Sequence, residues 1–237
     1  MKRMPVLFVG HGSPMNIVEK NIFTDGWRDM AALNPRPEAI LCVSAHWYTK
    51  GDFVSTTESP KTIYDFYGFP EELYKISYPA KGSPEFAQRV VDLSGTVKAD
   101  PVRGLDHGAW SVLHFMYPHA DIPVFQMSVN TVNTPQESYE AGQRLSVLRD
   151  EGVLILGSGN IVHNLSLVDW DMQGGFDWAD AFDDYIKSVV VNGRYEDAVH
   201  YQKAGQSVRQ AFYYRDHYEP LLYVLGAARS DDTVSVY

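Results

Sequence analysis

Cysteine is nearly missing from this chain, and its scarcity removes whole classes of chemistry. The single thiol, Cys42, cannot form an intrachain disulfide, and one sulfur alone is a poor basis for a thiolate metal site. Its place within the apolar run Ala39-Ile40-Leu41-Cys42-Val43 marks it as a core residue. No apolar run approaches the roughly 20 residues of a membrane span. The stretch Pro5 to Val9 behind Met1-Lys2-Arg3 is too short for the apolar region of a signal peptide, so the expectation is a cytoplasmic protein with no membrane partner. Basic residues are also few: 20 Lys and Arg stand against 30 Asp and Glu, a formal net charge of -10. Such a field repels phosphates, which argues against nucleic acid and for small molecules as partners. No Ser/Gly/Pro-rich tract, repeat or low-complexity segment divides the 237 residues. Residues 1–237 therefore read as one domain, long enough to bury a substantial core.

What is present is a set of short apolar runs with helical patterns between them. Val6-Leu7-Phe8-Val9, Ala39 to Val43, Ile122 to Gln126 and Val153-Leu154-Ile155-Leu156 are continuously rather than alternately apolar, as in strands covered on both faces. Ser83-Pro84-Glu85 and Thr134-Pro135-Gln136-Glu137 each place a capping hydroxyl before a proline at the first helical position. Further helices are predicted from about Trp178 to Val191, Tyr195 to Ala204 and Tyr218 to Leu225, the last with Gly226 near its C-terminal cap. Phe53 to Thr57 and Thr233 to Tyr237 read as two extra strands that pair antiparallel. The alternation predicts an α/β fold: a single layered domain with a mostly parallel central sheet flanked by helices.

Three of the four strands run into a histidine: Gly10-His11-Gly12-Ser13-Pro14, Ser44-Ala45-His46-Trp47 and Gly157-Ser158-Gly159-Asn160-Ile161-Val162-His163-Asn164. Loops after parallel strands leave from one edge of the sheet, where ligands bind, so these rings can converge. Neutral imidazole is a metal ligand, and small residues beside His11 and His163 leave room for a sharp turn and an ion. His217 opens a further segment at a helix start and joins them as a candidate. A lone histidine after a strand is more often a hydrogen-bonded loop residue; the joint pattern is what raises the metal reading. His107, in Leu105-Asp106-His107-Gly108-Ala109-Trp110, suits an acid/base or substrate-binding role. His114, His119 and His200 read as structural or solvated.

With those segments assembled, the chain resembles the LigB-like class III extradiol ring-cleavage dioxygenases, within them the 4,5-DOPA dioxygenase extradiol subgroup. The resemblance is carried by Gly10-His11-Gly12-Ser13-Pro14-Met15, Val43-Ser44-Ala45-His46-Trp47, Tyr64-Asp65-Phe66-Tyr67-Gly68-Phe69-Pro70, Leu105 to Trp110, Gly157 to Leu165 and His217-Tyr218-Glu219-Pro220-Leu221-Leu222, in the expected order along nearly the whole chain. It implies that His11, His46 and His217 bind the metal. It also places His163 as catalytic base or additional ligand, and His107 as a second active-site histidine. The cofactor implied is one Zn(2+) or Fe(2+) per chain, and the substrates are a DOPA-like catechol and O2.

On this expectation His163 takes a catechol proton and His107 donates one as the ring opens. Zinc has no accessible redox change, so a zinc-filled chain should be inactive as a dioxygenase. The segment Ile63 to Phe69 reads either as the wall of an aromatic pocket or as a lid or core cluster. Asp65 or Asp106 could orient a ligand histidine. Two alternatives stay open: a zinc-dependent hydrolase acting through metal-bound water, and a non-enzymatic metal- or partner-binding protein on the same fold.

Overall fold

The computed structural model describes residues 3–169, 171–172 and 174–237; Met1 and Lys2, weighed above for their charge, lie outside them. Six strands form one sheet: β1 (Val6–Gly10), β2 (Ala39–Thr49), β3 (Phe53–Ser55), β4 (Lys98–Asp100), β5 (Val124–Asn130) and β6 (Val153–Gly159), in the order β1-β6-β2-β5-β3-β4. Every pairing is parallel except that of β3 with β5. The four apolar runs are the four contiguous strands β1, β6, β2 and β5. Their continuous hydrophobicity has the expected cause, because successive side chains enter opposite cores. Ile40, Cys42, Leu154 and Leu156 pack in one, and Leu41, Val43, Val153 and Ile155 in the other.

Helices cover both faces. They are α1 (Ile22–Leu33), α2 (Pro84–Ser94), α3 (His107–Met116), α4 (Pro135–Leu145), α5 (Asp177–Val191), α6 (Tyr195–Val199), α7 (Val208–Ala211) and α8 (Glu219–Ala227). Trp27 of α1 and Trp110 and Leu113 of α3 close the first core; Val90 of α2, Leu145 of α4 and Tyr223 of α8 close the second. A third cluster joins α5 and α6 to the outer side of α8 through Phe182, Ile186, Ala198, Leu222 and Leu225. Thr134 and Glu137 form the reciprocal cap that starts α4. Ser83 precedes α2 without capping it through its side chain. Among the described residues no helix is long and apolar enough to cross a membrane.

Several expectations need correction. Residues 233–237 form no strand: Asp232 is drawn into an ion pair with the buried Arg149, and the tail beyond it is largely exposed. β3 is shorter than predicted, and it pairs parallel with β4 as well as antiparallel with β5. The helix expected from Tyr195 to Ala204 stops after Val199 and gives way to a 3-10 segment, Tyr201–Ser207, in which Gly205 has φ 80°. His46 does not follow a strand but lies within β2, inside the stretch between Val43 and Tyr48 where its register with β5 shifts. Gly157-Ser158-Gly159 is likewise the end of β6 and not a turn.

Gly226, the last residue but one of α8, lies near the C-terminal cap as expected, and packing gives it a further reason: a Cβ there would lie 2.0 Å from the Tyr139 carbonyl oxygen of α4. Because backbone cannot yield as a flexible side chain can, Gly226→Ala should force α4 and α8 apart and cost about 1–3 kcal/mol in a urea unfolding series. An unchanged midpoint would show that the helix pair is not closely seated.

Candidate metal centre

β1, β6 and β2 are neighbours whose carboxyl ends share one edge, and each brings a histidine to it. His11 follows β1 directly, and its backbone N–H donates to the Gly159 carbonyl at 3.1 Å. His46 comes from the irregular end of β2. His217 arrives from the turn before α8, held by the Asn160 N–H on its carbonyl at 2.9 Å. Gly159 makes that approach possible, since a Cβ on it would lie 2.1 Å from the same oxygen. His107 is the first residue of α3, behind Asp106 as cap. Gly108 then lets this helix start close over the rings: its Cβ would meet Ser44 Oγ at 2.8 Å and His46 Cδ2 at 3.0 Å.

The ligand atoms of His11, His46 and His217 lie within 4.8 Å of one another. Hydrogen bonding decides which nitrogens face inward. Ser158 Oγ donates its only proton to the Gly108 carbonyl at 2.6 Å, so toward His11 Nδ1 at 2.9 Å it can only accept. His11 therefore carries its proton on Nδ1 and keeps a lone pair on Nε2. His46 turns Nδ1 to Asp65 Oδ2 at 3.2 Å, which favours the same tautomer. The two Nε2 atoms then confront each other at 3.1 Å with no proton to share. A cation is what reconciles two facing lone pairs, and neutral imidazole nitrogens whose far sides are held by Ser158 and Asp65 suit a first-row divalent metal.

The surroundings keep His11, His46 and His163 neutral. Burial, then the neighbouring imidazoles, hold His11 well below the ordinary 6.5. Burial is also the main cause that lowers His46 and His163 to about 4. Burial alone would raise the carboxyls of Asp65 and Asp216, but His107 and His46 beside the one, and His217 beside the other, bring both below the ordinary carboxylate range. Two anionic carboxylates thus flank the neutral rings of His11, His46 and His163.

His163 stands slightly apart from the three. Its ring stacks on His217, centroids 3.4 Å apart, and it groups with Asp216 and His217. His107 Nδ1 lies 3.0 Å from Asp65 Oδ2, out of line for a hydrogen bond, while its backbone N–H donates to Asp65 Oδ1 at 2.8 Å. The choice between the two acids is therefore decided: Asp65 faces the rings, whereas Asp106 bonds Ser44, Gln126 and Arg103. The aromatic segment is both wall and core, with Phe66 edge-on to His107 at 5.5 Å and also against Trp110, while Tyr67 is exposed. His114, His119 and His200 lie elsewhere, in α3, a surface turn and the end of α6. Sequence reasoning assigned no role to Ser158, Asn160 or Asp216, although the first two lie within a quoted segment and Asp216 adjoins one; closeness to a histidine was the only available signal.

The family described as the catalytic LigB subunit of aromatic ring-opening dioxygenase matches residues 5–236. The chain belongs to this family. It is 43% identical to the 4,5-DOPA dioxygenase extradiol of Escherichia coli (strain K12), over 99% of this chain and 89% of that protein. It is 41% identical to the enzyme of the same name from Beta vulgaris, over 93% and 85%. The crystal structure of an uncharacterized protein from Escherichia coli K12 superposes with a TM-score of 0.82 at 40% identity, covering 95% of this chain and 89% of that one. This LigB chain is an extradiol ring-cleavage dioxygenase, and the α/β layered fold expected from its sequence is the fold it has. LigB dioxygenases are metal-dependent, and the three-histidine cluster could hold the ion.

The lowered histidines predict a pH dependence for the metal-free protein. Between about 4 and 6.5 the unfolded chain binds protons that folded His46 and His163 refuse, so stability is full above about 6.5 and falls as the pH drops through that window. Chelator-treated protein should show this decline in Tm, less steeply in the His46→Gln/His163→Gln double variant. Equal slopes would show that these rings do not carry it.

Proposed function

We propose that residues 1–237 act as one catalytic domain, a metal-dependent extradiol dioxygenase that opens the ring of a DOPA-like catechol with O2. The observation that carries this reading is the pair of opposed Nε2 lone pairs on His11 and His46, 3.1 Å apart, with His217 beside them in a LigB chain. The substrate class is supported by the names of the relatives, which are 4,5-DOPA dioxygenases. His11, His46 and His217 would hold one Fe(2+), which supplies the electron relay between catechol and O2 that redox-silent zinc lacks.

The remaining roles belong to this chain's own groups. His163, neutral at pH 7 and outside the three-ligand set, accepts a catechol proton at a ring nitrogen. Asp216 stands in the same cluster and stabilises the imidazolium that results. His107 donates a proton as the ring opens; Asp65 orients it and links it to His46. Phe66, edge-on to His107, keeps water from that ring.

Anaerobic loading with Fe(II), then a catechol panel in air, tests the reading by oxygen uptake and the yellow ring-opened product. Hydrolysis of an ester without oxygen uptake would favour the zinc hydrolase instead. The His11→Ala/His46→Ala double variant should lose the one metal per chain; retained stoichiometric metal would end the ligand assignment. His163→Ala should keep the metal and lose turnover by about 10²- to 10⁴-fold. Weaker metal binding in that variant would make His163 a ligand and not only a base.

A further inference from the structure

Asn160 is the first residue beyond β6, and its carboxamide is held by one end. The Gly12 N–H donates to Oδ1 at 3.2 Å. A backbone N–H has only a proton to offer, so the group it meets must be the oxygen, which fixes the amide's orientation without reference to anything else. The other end, Nδ2, is thereby turned inward, 3.4 Å from His11 Nε2. That nitrogen is one of the two opposed lone pairs assigned above to the metal. Once a metal takes the lone pair, Nδ2 loses its acceptor but cannot swing away, because Gly12 holds the oxygen. A neutral donor is then left pointing at the edge of the metal position. The side chains that crowd this centre otherwise offer imidazoles and the carboxylates of Asp65 and Asp216.

We propose that Asn160 Nδ2 donates a hydrogen bond to a deprotonated oxygen of the catechol bound at this centre, making Asn160 a substrate-binding residue. The inference rests on the proposed function and adds to it a reason for favouring the ionised catechol: hydrogen bonds to charged groups are worth more than those to neutral ones. Asn160 needs no ionisation of its own to do this, and its anchor costs the substrate nothing, since the donor is oriented before the catechol arrives.

Zinc-loaded protein allows binding to be read without turnover. 4-Nitrocatechol changes its visible absorption on ionisation, so titrating it into zinc-loaded wild type and variants reports affinity and ionisation state together. Asn160→Asp keeps an oxygen for the Gly12 N–H and replaces only the donor, while Asn160→Ala removes the donor without adding charge. Both should keep one zinc per chain and bind the ionised nitrocatechol about 10- to 100-fold more weakly. Wild-type affinity in Asn160→Ala with zinc in place overturns the proposal. Loss of zinc from Asn160→Ala, with the fold intact by circular dichroism, also overturns it, since Asn160 would then support His11 and not the substrate. If wild type itself takes up zinc but not nitrocatechol, the catechol reading falls and this proposal falls with it.

Discussion

Two imidazole nitrogens, each with its lone pair turned inward, lie 3.1 Å apart at the carboxyl edge of the sheet, and much of the surrounding structure exists to hold them there. Left to themselves, two such acceptors would turn away or take up a proton. They do neither, because the far side of each ring is engaged: His11 by Ser158, whose own proton is committed to Gly108, and His46 by Asp65. Burial then makes protonation costly. The result is a site prepared for a cation before one arrives.

The supports of that arrangement are distributed over the chain and connected. Asp106 caps α3, accepts from Ser44 beside His46, and takes Arg103 and Gln126 on its other oxygen. Arg103 in turn donates to the His46 carbonyl and lies over Trp47. A buried carboxylate with every lone pair engaged is rigid, and this one fixes the end of β2 and the start of α3 relative to each other. His46 and His107, one from each element, therefore meet Asp65 in a defined geometry.

Much of this was legible in the residues. The four apolar runs became the four contiguous strands, since a segment covered on both faces has to be apolar throughout. The histidines after them did converge, because parallel strands deliver their carboxyl ends to one edge. His107 and Asp65 were likewise visible as candidates. Illegible were α1, which begins at an Asn21–Thr24 capping box, and the tail at 233–237, whose alternation resembled a strand but which pairs with none.

Local pattern and residue type were enough for the four central strands, the starts of α2 and α4 and the candidate histidines, and the order of the histidine motifs was enough for the family, whereas α1 and the tail lay beyond them. Only the tertiary structure decided which nitrogen of each ring faces inward, that Asp65 and not Asp106 meets the rings, and that His163 stacks on His217 outside the three-ring set. It also gave the glycines their meaning, since Gly108, Gly159 and Gly226 are needed for contacts with distant backbone and side chains and not for turns. The reason is physical. Tautomer, orientation and close approach depend on partners up to about 150 positions away, such as Ser158 for His11 at a separation of 147, and no local pattern records them.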